Sequence, residues 1–181
     1  MNTTRTPIGT ALPFDLASVK AHMRVTHDDE DLAIIAMASA AAAEIEAYCD
    51  LALLSQTITT TTDEWPGQSI ALPVGPVASG AVATVAVVEV DGTTTAVASG
   101  FWLEGGRYPV LHFPDTEPAA RLRITYQAGF GDDCTALPAD LSHAIADQAA
   151  RFYDRRGDDD MPQVLAVAAA RICARYRRVK A

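Results

Sequence analysis

Leu122-Arg123-Ile124-Thr125-Tyr126-Gln127-Ala128-Gly129-Phe130-Gly131-Asp132, running on to Leu137-Pro138-Ala139-Asp140-Leu141, is where the chain changes its hydrophobic period. Leu122, Ile124 and Tyr126 alternate with Arg121, Arg123 and Thr125, the two-residue repeat of a half-buried strand. Gly129 and Gly131 make a tight connection. Beyond Pro138 the apolar residues Leu141, Ile145, Ala149 and Phe152 recur three or four apart, a helix that Pro138 opens and Arg155-Arg156-Gly157 closes. The same two patterns extend outward and stay segregated. Upstream, Gln56-Thr57-Ile58-Thr59-Thr60-Thr61-Thr62 is β-branched and favours strand. Pro66-Gly67, Pro73, Gly75-Pro76, Asp91-Gly92, Gly105-Gly106 and Pro114 then punctuate the chain at short intervals, with Asp91-Gly92 a two-residue hairpin signal. Five to seven short strands are expected there.

Helices are expected on both sides of this β-rich middle. Asp15 caps a short helix over Leu16–Met23. The acidic cluster His27-Asp28-Asp29-Glu30-Asp31 sits where carboxylates favour a helix start, and a long Ala-rich helix follows from Asp29 to Cys49, with Ile34, Met37, Ala41, Ile45 and Tyr48 on one face. At the other end, Asp158-Asp159-Asp160 caps a last helix that Met161-Pro162 begins and that runs to about Arg178. The expected fold is α+β: a helical bundle from residues 1–55 and 132–181, with a β-rich insertion of short antiparallel strands over 56–131.

The 181 residues are 49% apolar and 20% charged, enough for a buried core and too apolar for disorder. Fourteen cations against 23 acids leave a net charge of −9, a field that repels nucleic acid. The first fourteen residues read as no secretion signal, and the apolar run Leu32 to Ala43 is roughly half a membrane span. Cys49, Cys134 and Cys173 have no C-x-x-C spacing and read as small residues in a reducing compartment.

Motifs for chemistry are weak throughout. No H-E-x-x-H, G-x-S-x-G or paired metal-ligand spacing occurs. His143 with Asp147 and Asp140 is the best local constellation, and a solvated helix face explains it better than a metal. His27 to Asp31 lacks the alternating ligands and glycine of a calcium loop. Gly129-Phe130-Gly131 is followed by two aspartates that repel phosphate. No catalytic, cofactor-binding or metal-ligating residue is assigned.

Charge is distributed unevenly. All 23 acids and nine of the cations lie in residues 1–160, a balance of −14, whereas 161–181 carry Arg171, Arg175, Arg177, Arg178 and Lys180 with no acid. On a helical wheel Arg171, Arg175 and Arg178 form a stripe beside Leu165, Ala168, Ile172, Tyr176 and Val179. Three readings stay open for this segment: a solvated helix end, a nucleic-acid contact, or a docking element for an acidic partner.

Three blocks of sequence resemble the head-to-tail connector (adaptor) proteins of tailed bacteriophages and phage-like gene transfer agents. The first is Phe14 to Asp31 with its Ala-rich helix and Leu53-Leu54-Ser55-Gln56-Thr57. The second is Ile124 to Asp132 with Leu137 to Leu141, Ala144-Ile145 and Phe152 to Arg156. The third is Ile70-Ala71-Leu72-Pro73-Val74-Gly75-Pro76-Val77. The chain departs from relatives at Cys49-Asp50-Leu51, where Thr-Gly-Arg is frequent, and at 78–117, which matches nothing sharply. The resemblance implies a ring of about twelve copies on the portal protein, with tail-side connector or terminator proteins below and double-stranded DNA passing through without sequence-specific binding. It implies a place in the neck of a virion or gene-transfer particle after assembly in the bacterial cytoplasm, with no membrane and no cofactor. Leu165, Ile172, Tyr176, Arg171, Arg175, Arg177, Arg178 and Lys180 are the expected portal-docking residues. A sequence-independent nucleic-acid binder and a small enzyme are the alternative functions.

Overall fold

The computed structural model describes residues 1–63, 67–113, 121–157 and 164–178. Among them lie four α-helices and antiparallel sheets, an α+β fold. Contacts divide the chain into two compact units, residues 1–10 with 54–130 and residues 11–53 with 131–181.

The first unit holds a five-stranded and a three-stranded sheet. Chain order gives β1 (Asn2–Pro7), β2 (Gln56–Thr62), β3 (Ser69–Ala71), β4 (Thr84–Val88), β5 (Thr94–Val97), β6 (Trp102–Glu104), β7 (Val110–His112) and β8 (Leu122–Ala128). The larger sheet runs β1-β2-β8-β4-β5 and the smaller β3-β7-β6. Its centre is the β2–β8 pair, with Ile58 opposite Tyr126 and Thr60 opposite Ile124. Both strands alternate, so Ile58, Leu122, Ile124 and Tyr126 are buried while Arg123 and Gln127 face outward. The Tyr126 hydroxyl donates to Val74 O at 3.0 Å and accepts from Val74 N at 3.2 Å, which satisfies the one polar atom of a buried ring. The Asp91-Gly92 hairpin joins β4 to β5, with Gly92 at φ 87°. Gly129 has φ 142°, and a Cβ there would lie 2.5 Å from Leu54 O, so the connection after β8 admits only glycine.

One expectation changes here. Residues 2–7, which had been grouped with the helices, form an edge strand paired to β2 from Asn2 opposite Thr61 to Pro7 opposite Gln56. The sheet is therefore not confined to 56–131. Pro66 and Pro114 lie outside the described residues, with 64–65 and 115–120.

In the second unit α1 (Leu16–Met23) begins at Asp15, whose carboxylate accepts from Ser18 N at 2.9 Å, as capping requires. The long α2 spans Asp31–Cys49, two residues shorter at its start than expected. Its buried face is Ile34, Ala38, Ala41, Ala42, Ile45 and Cys49; Met37 is only half-buried and Tyr48 is exposed. The acidic cluster does not cap it, since Glu30 makes no side-chain cap bond. Asp28 and Asp31 instead accept from the Lys20 ammonium at 2.5 and 2.6 Å, and Glu30 accepts from the Tyr153 hydroxyl and, at 2.7 Å, from Arg156. With a mean hydropathy of 1.5, α2 as a whole reaches the length and apolarity of a membrane-crossing helix, which the run to Ala43 had understated. Ile34, Ala38, Ala41, Ala42, Ile45 and Cys49 are buried within this unit and Glu44 and Glu46 are bonded there, whereas Leu32, Ala36, Ala40, Ala43 and Ala47 are exposed.

The third helix, α3 (Ala139–Asp154), follows Pro138 and a short 3₁₀ turn over Cys134–Ala136. It buries Leu141, Ala144, Ile145, Ala146, Gln148 and Ala149. The last helix, α4, spans only Val167–Cys173. A turn takes over at Ala174, so the helix expected to reach Arg178 stops five residues sooner. Its expected start at Asp158 to Pro162 lies outside the described residues.

Glu30 and Asp28 titrate below their ordinary values of 4.5 and 3.8, Glu30 chiefly through the Tyr153 and then the Arg156 bond, Asp28 chiefly through the Lys20 bond. A depressed carboxylate contributes stability above its unfolded value and loses it as pH falls through the folded one. Thermal melts should therefore be level above about pH 5 and decline on acidification below it. Replacing Glu30 by Gln should lower the plateau and shallow the decline.

Candidate interaction surface

The C-terminal segment is held to the helical unit by polar bonds at both ends and an apolar seam between. At its start, Gln148 on α3 is buried and donates to the Glu44 carboxylate at 2.7 Å, while its carbonyl accepts from Ala166 N at 2.6 Å. Arg151 donates to Val164 O at 2.5 Å. Leu165, Ala169, Ile172 and Cys173 then face inward and are almost wholly buried. Past the helix, Asp140 accepts from the Tyr176 hydroxyl at 2.8 Å and from Arg175 at 3.1 Å. The Arg177 guanidinium lies 5.3 Å from the centre of the Tyr48 ring.

This geometry separates residues that the wheel had placed together. Leu165 and Ile172 pack against the chain's own core, and Tyr176 is half-buried on Asp140. Because α4 ends at Cys173, Arg171, Arg175 and Arg178 are not one helical stripe. Arg171, Arg175 and Arg177 are exposed and Arg178 is half-buried. Lys180 and Val179 lie outside the described residues. The segment thus presents outward both positive charge and the side chains of Val164 and Val167, while Leu165, Ala169, Ile172 and Cys173 are covered.

Gln148 was missed in the sequence. Its signal was present, for it sits between Ile145 and Phe152 on an otherwise apolar stripe, where a polar residue needs internal partners.

Among the described residues His143, Asp147 and Asp140 do not come together as one site. Asp140 is engaged by Tyr176 and Arg175, whereas Asp147 lies 3.9 Å from His22, whose ring meets His143 edge-on at 5.4 Å. Among the described residues no group of three or more His, Cys, Asp or Glu side chains could hold a metal. A groove of about 550 Å³ between α3 and residues 164–168 is lined by Asp147, Asp154, Arg151 and Arg155 with small apolar residues, and contains no histidine, serine or cysteine. The pair His112–Glu104, 2.9 Å apart beneath the Trp102 ring, sits on the separate three-stranded sheet.

No family model and no curated protein matches the chain. Solved structures do. It is similar, over 98% of its length and 97% of theirs, to a chain in the neck of an empty gene transfer agent particle computed with C6 symmetry (26% identity, TM-score 0.80). A chain in the virion of a native gene transfer agent particle matches over the same shares (27%, 0.79), as does one in the neck of the native particle computed with C12 symmetry (28%, 0.72). These neighbours match the head-to-tail connector family that the three sequence blocks resemble. All three neighbours are chains of gene transfer agent particles, two of them in the particle's neck.

Replacing Gln148 by Met keeps the shape and removes both bonds, leaving Glu44 and Ala166 N without their partner. The expected loss is about 2–3 kcal/mol in urea unfolding, with faster protease release of the segment after Gly157. Arg171→Gln, at an exposed site, should change stability by less than about 0.5 kcal/mol.

Proposed function

We propose that this chain is a head-to-tail connector subunit, assembling as a ring of about twelve on the portal vertex of a phage or gene transfer agent particle and bordering the DNA channel. The observation that carries this is the chain-length match to proteins of particle necks computed with C6 and C12 symmetry. Closed cyclic symmetry asks each copy to contact its neighbours through two different surfaces. The helical unit is read as the connector domain that meets the portal, with tail-side connector or terminator proteins on the opposite side of the ring.

Charge gives the ring a mechanical logic. Residues 1–160 carry a balance of −14, which keeps phosphates from adhering as DNA slides past. The cations of the C-terminal segment supply the opposite sign, for an acidic surface on the portal protein. With Leu165 and Ile172 buried in the chain itself, docking falls to Arg171, Arg175, Arg177, Arg178 and Lys180.

Truncation after Gly157 is a poor test, because it strips Leu165, Ala169, Ile172 and Cys173 from the core. Charge reversal is cleaner. Arg171→Glu with Arg178→Glu should leave the thermal midpoint within a few degrees and weaken association with purified portal by about tenfold or more, while flattening its salt dependence. Unchanged affinity in the double variant would refute the docking assignment.

A further inference from the structure

Cys49 ends α2 and Cys173 ends α4, 124 residues apart in sequence, and both are almost wholly buried in the helical unit. They are neighbours: the Cys49 thiol donates to Cys173 O at 3.6 Å. Neither is part of a disulfide, and Cys134, half-buried beside the 3₁₀ turn, is the third thiol. Two thiols brought together by separate helices, one of them on a segment of seven helical residues, are arranged for a covalent step that neither the polar ties nor the apolar seam uses.

We infer that Cys49 and Cys173 form a redox modification site, at which a low-molecular-weight disulfide closes a Cys49–Cys173 bond that staples the C-terminal segment to α2.

The Cys173 thiolate attacks one sulfur of the small disulfide and expels one small thiolate. The Cys49 thiolate then attacks the mixed disulfide at Cys173 Sγ and expels the second. Two protein thiols lose two protons and two electrons, and the small disulfide gains both pairs as two thiols. The Cys49 bond draws the Cys173 thiol below its ordinary value, against burial and the Asp140 and Glu44 carboxylates, so the attacking group carries more thiolate than an isolated buried cysteine. Access comes from local opening, since a helix as short as α4 has no stability of its own and depends on docking. Assembly in a reducing cytoplasm followed by release into an oxidising medium places closure after assembly; that timing alone rests on the neck reading.

The test incubates the full folded chain with oxidised glutathione, quenches with an alkylating agent and maps peptides without reduction. Accessible thiols counted in denaturant should fall from three to one, and one cross-linked species should join the Cys49 and Cys173 peptides with a mass loss of 2 Da. In a Cys134→Ala background the oxidised chain should melt about 5–10 °C above its reduced form, and the added Cys49→Ala change should erase the difference. Three thiols persisting, or cross-links running through Cys134, would overturn the assignment. Particles alkylated before and after release from the cell read the timing: the linked peptide is expected only after release, and its absence there overturns the timing. If the isolated chain closes the bond but purified particles lack the chain, the neck reading fails and the modification site stands.

Discussion

One buried amide governs the helical unit. Gln148 donates to Glu44 on α2 and accepts from Ala166 N at the head of α4, so a single side chain joins three helices. Burying such a group is favourable only when its hydrogen bonds are made, and each lost partner leaves an orphan in low dielectric. The segment it holds has seven helical residues and little helical stability of its own, so its place depends on this amide, on the Asp140 bonds beyond it and on the seam of Leu165, Ala169 and Ile172. The outward direction of its arginines follows from that fixed orientation.

Electrostatics inside the unit follows the same economy. Asp28 and Asp31 serve Lys20, Glu30 serves Tyr153 and Arg156, and Asp140 serves Arg175 and Tyr176. A good part of the acidity counted along the sequence is therefore occupied by internal partners. Exposed cations are found along the whole chain, Arg24, Arg123 and Arg171 among them, while Arg175 at the chain's end is bonded to Asp140.

Periodicity made the α+β class, the Asp15 cap, the Asp91-Gly92 hairpin, β8 and α3 legible from the sequence, because each combines a local repeat with a local stop signal. The strand Asn2–Pro7 was not, since an exposed edge strand of Thr and Arg needs no apolar alternation and owes its existence to β2. The extent of α4 was misjudged for a related reason: Ala174 to Arg178 have helical propensity, and tertiary bonds from Asp140 take Arg175 and Tyr176 into a turn instead. The acidic cluster does stand at the start of α2, but the partners its carboxylates serve, Lys20 and Arg156, lie 8 and 126 residues away and were not legible from spacing. The connector resemblance, carried by the order of three blocks and not by any reactive motif, agrees with the structural neighbours.

The proposed role makes the chain one of many copies in a particle neck. Electron microscopy of purified portal mixed with this chain tests it most directly. The expected result is an added layer of density on the portal with its rotational symmetry, containing this chain by mass spectrometry. Portal rings that stay bare at saturating concentrations of folded chain would contradict it.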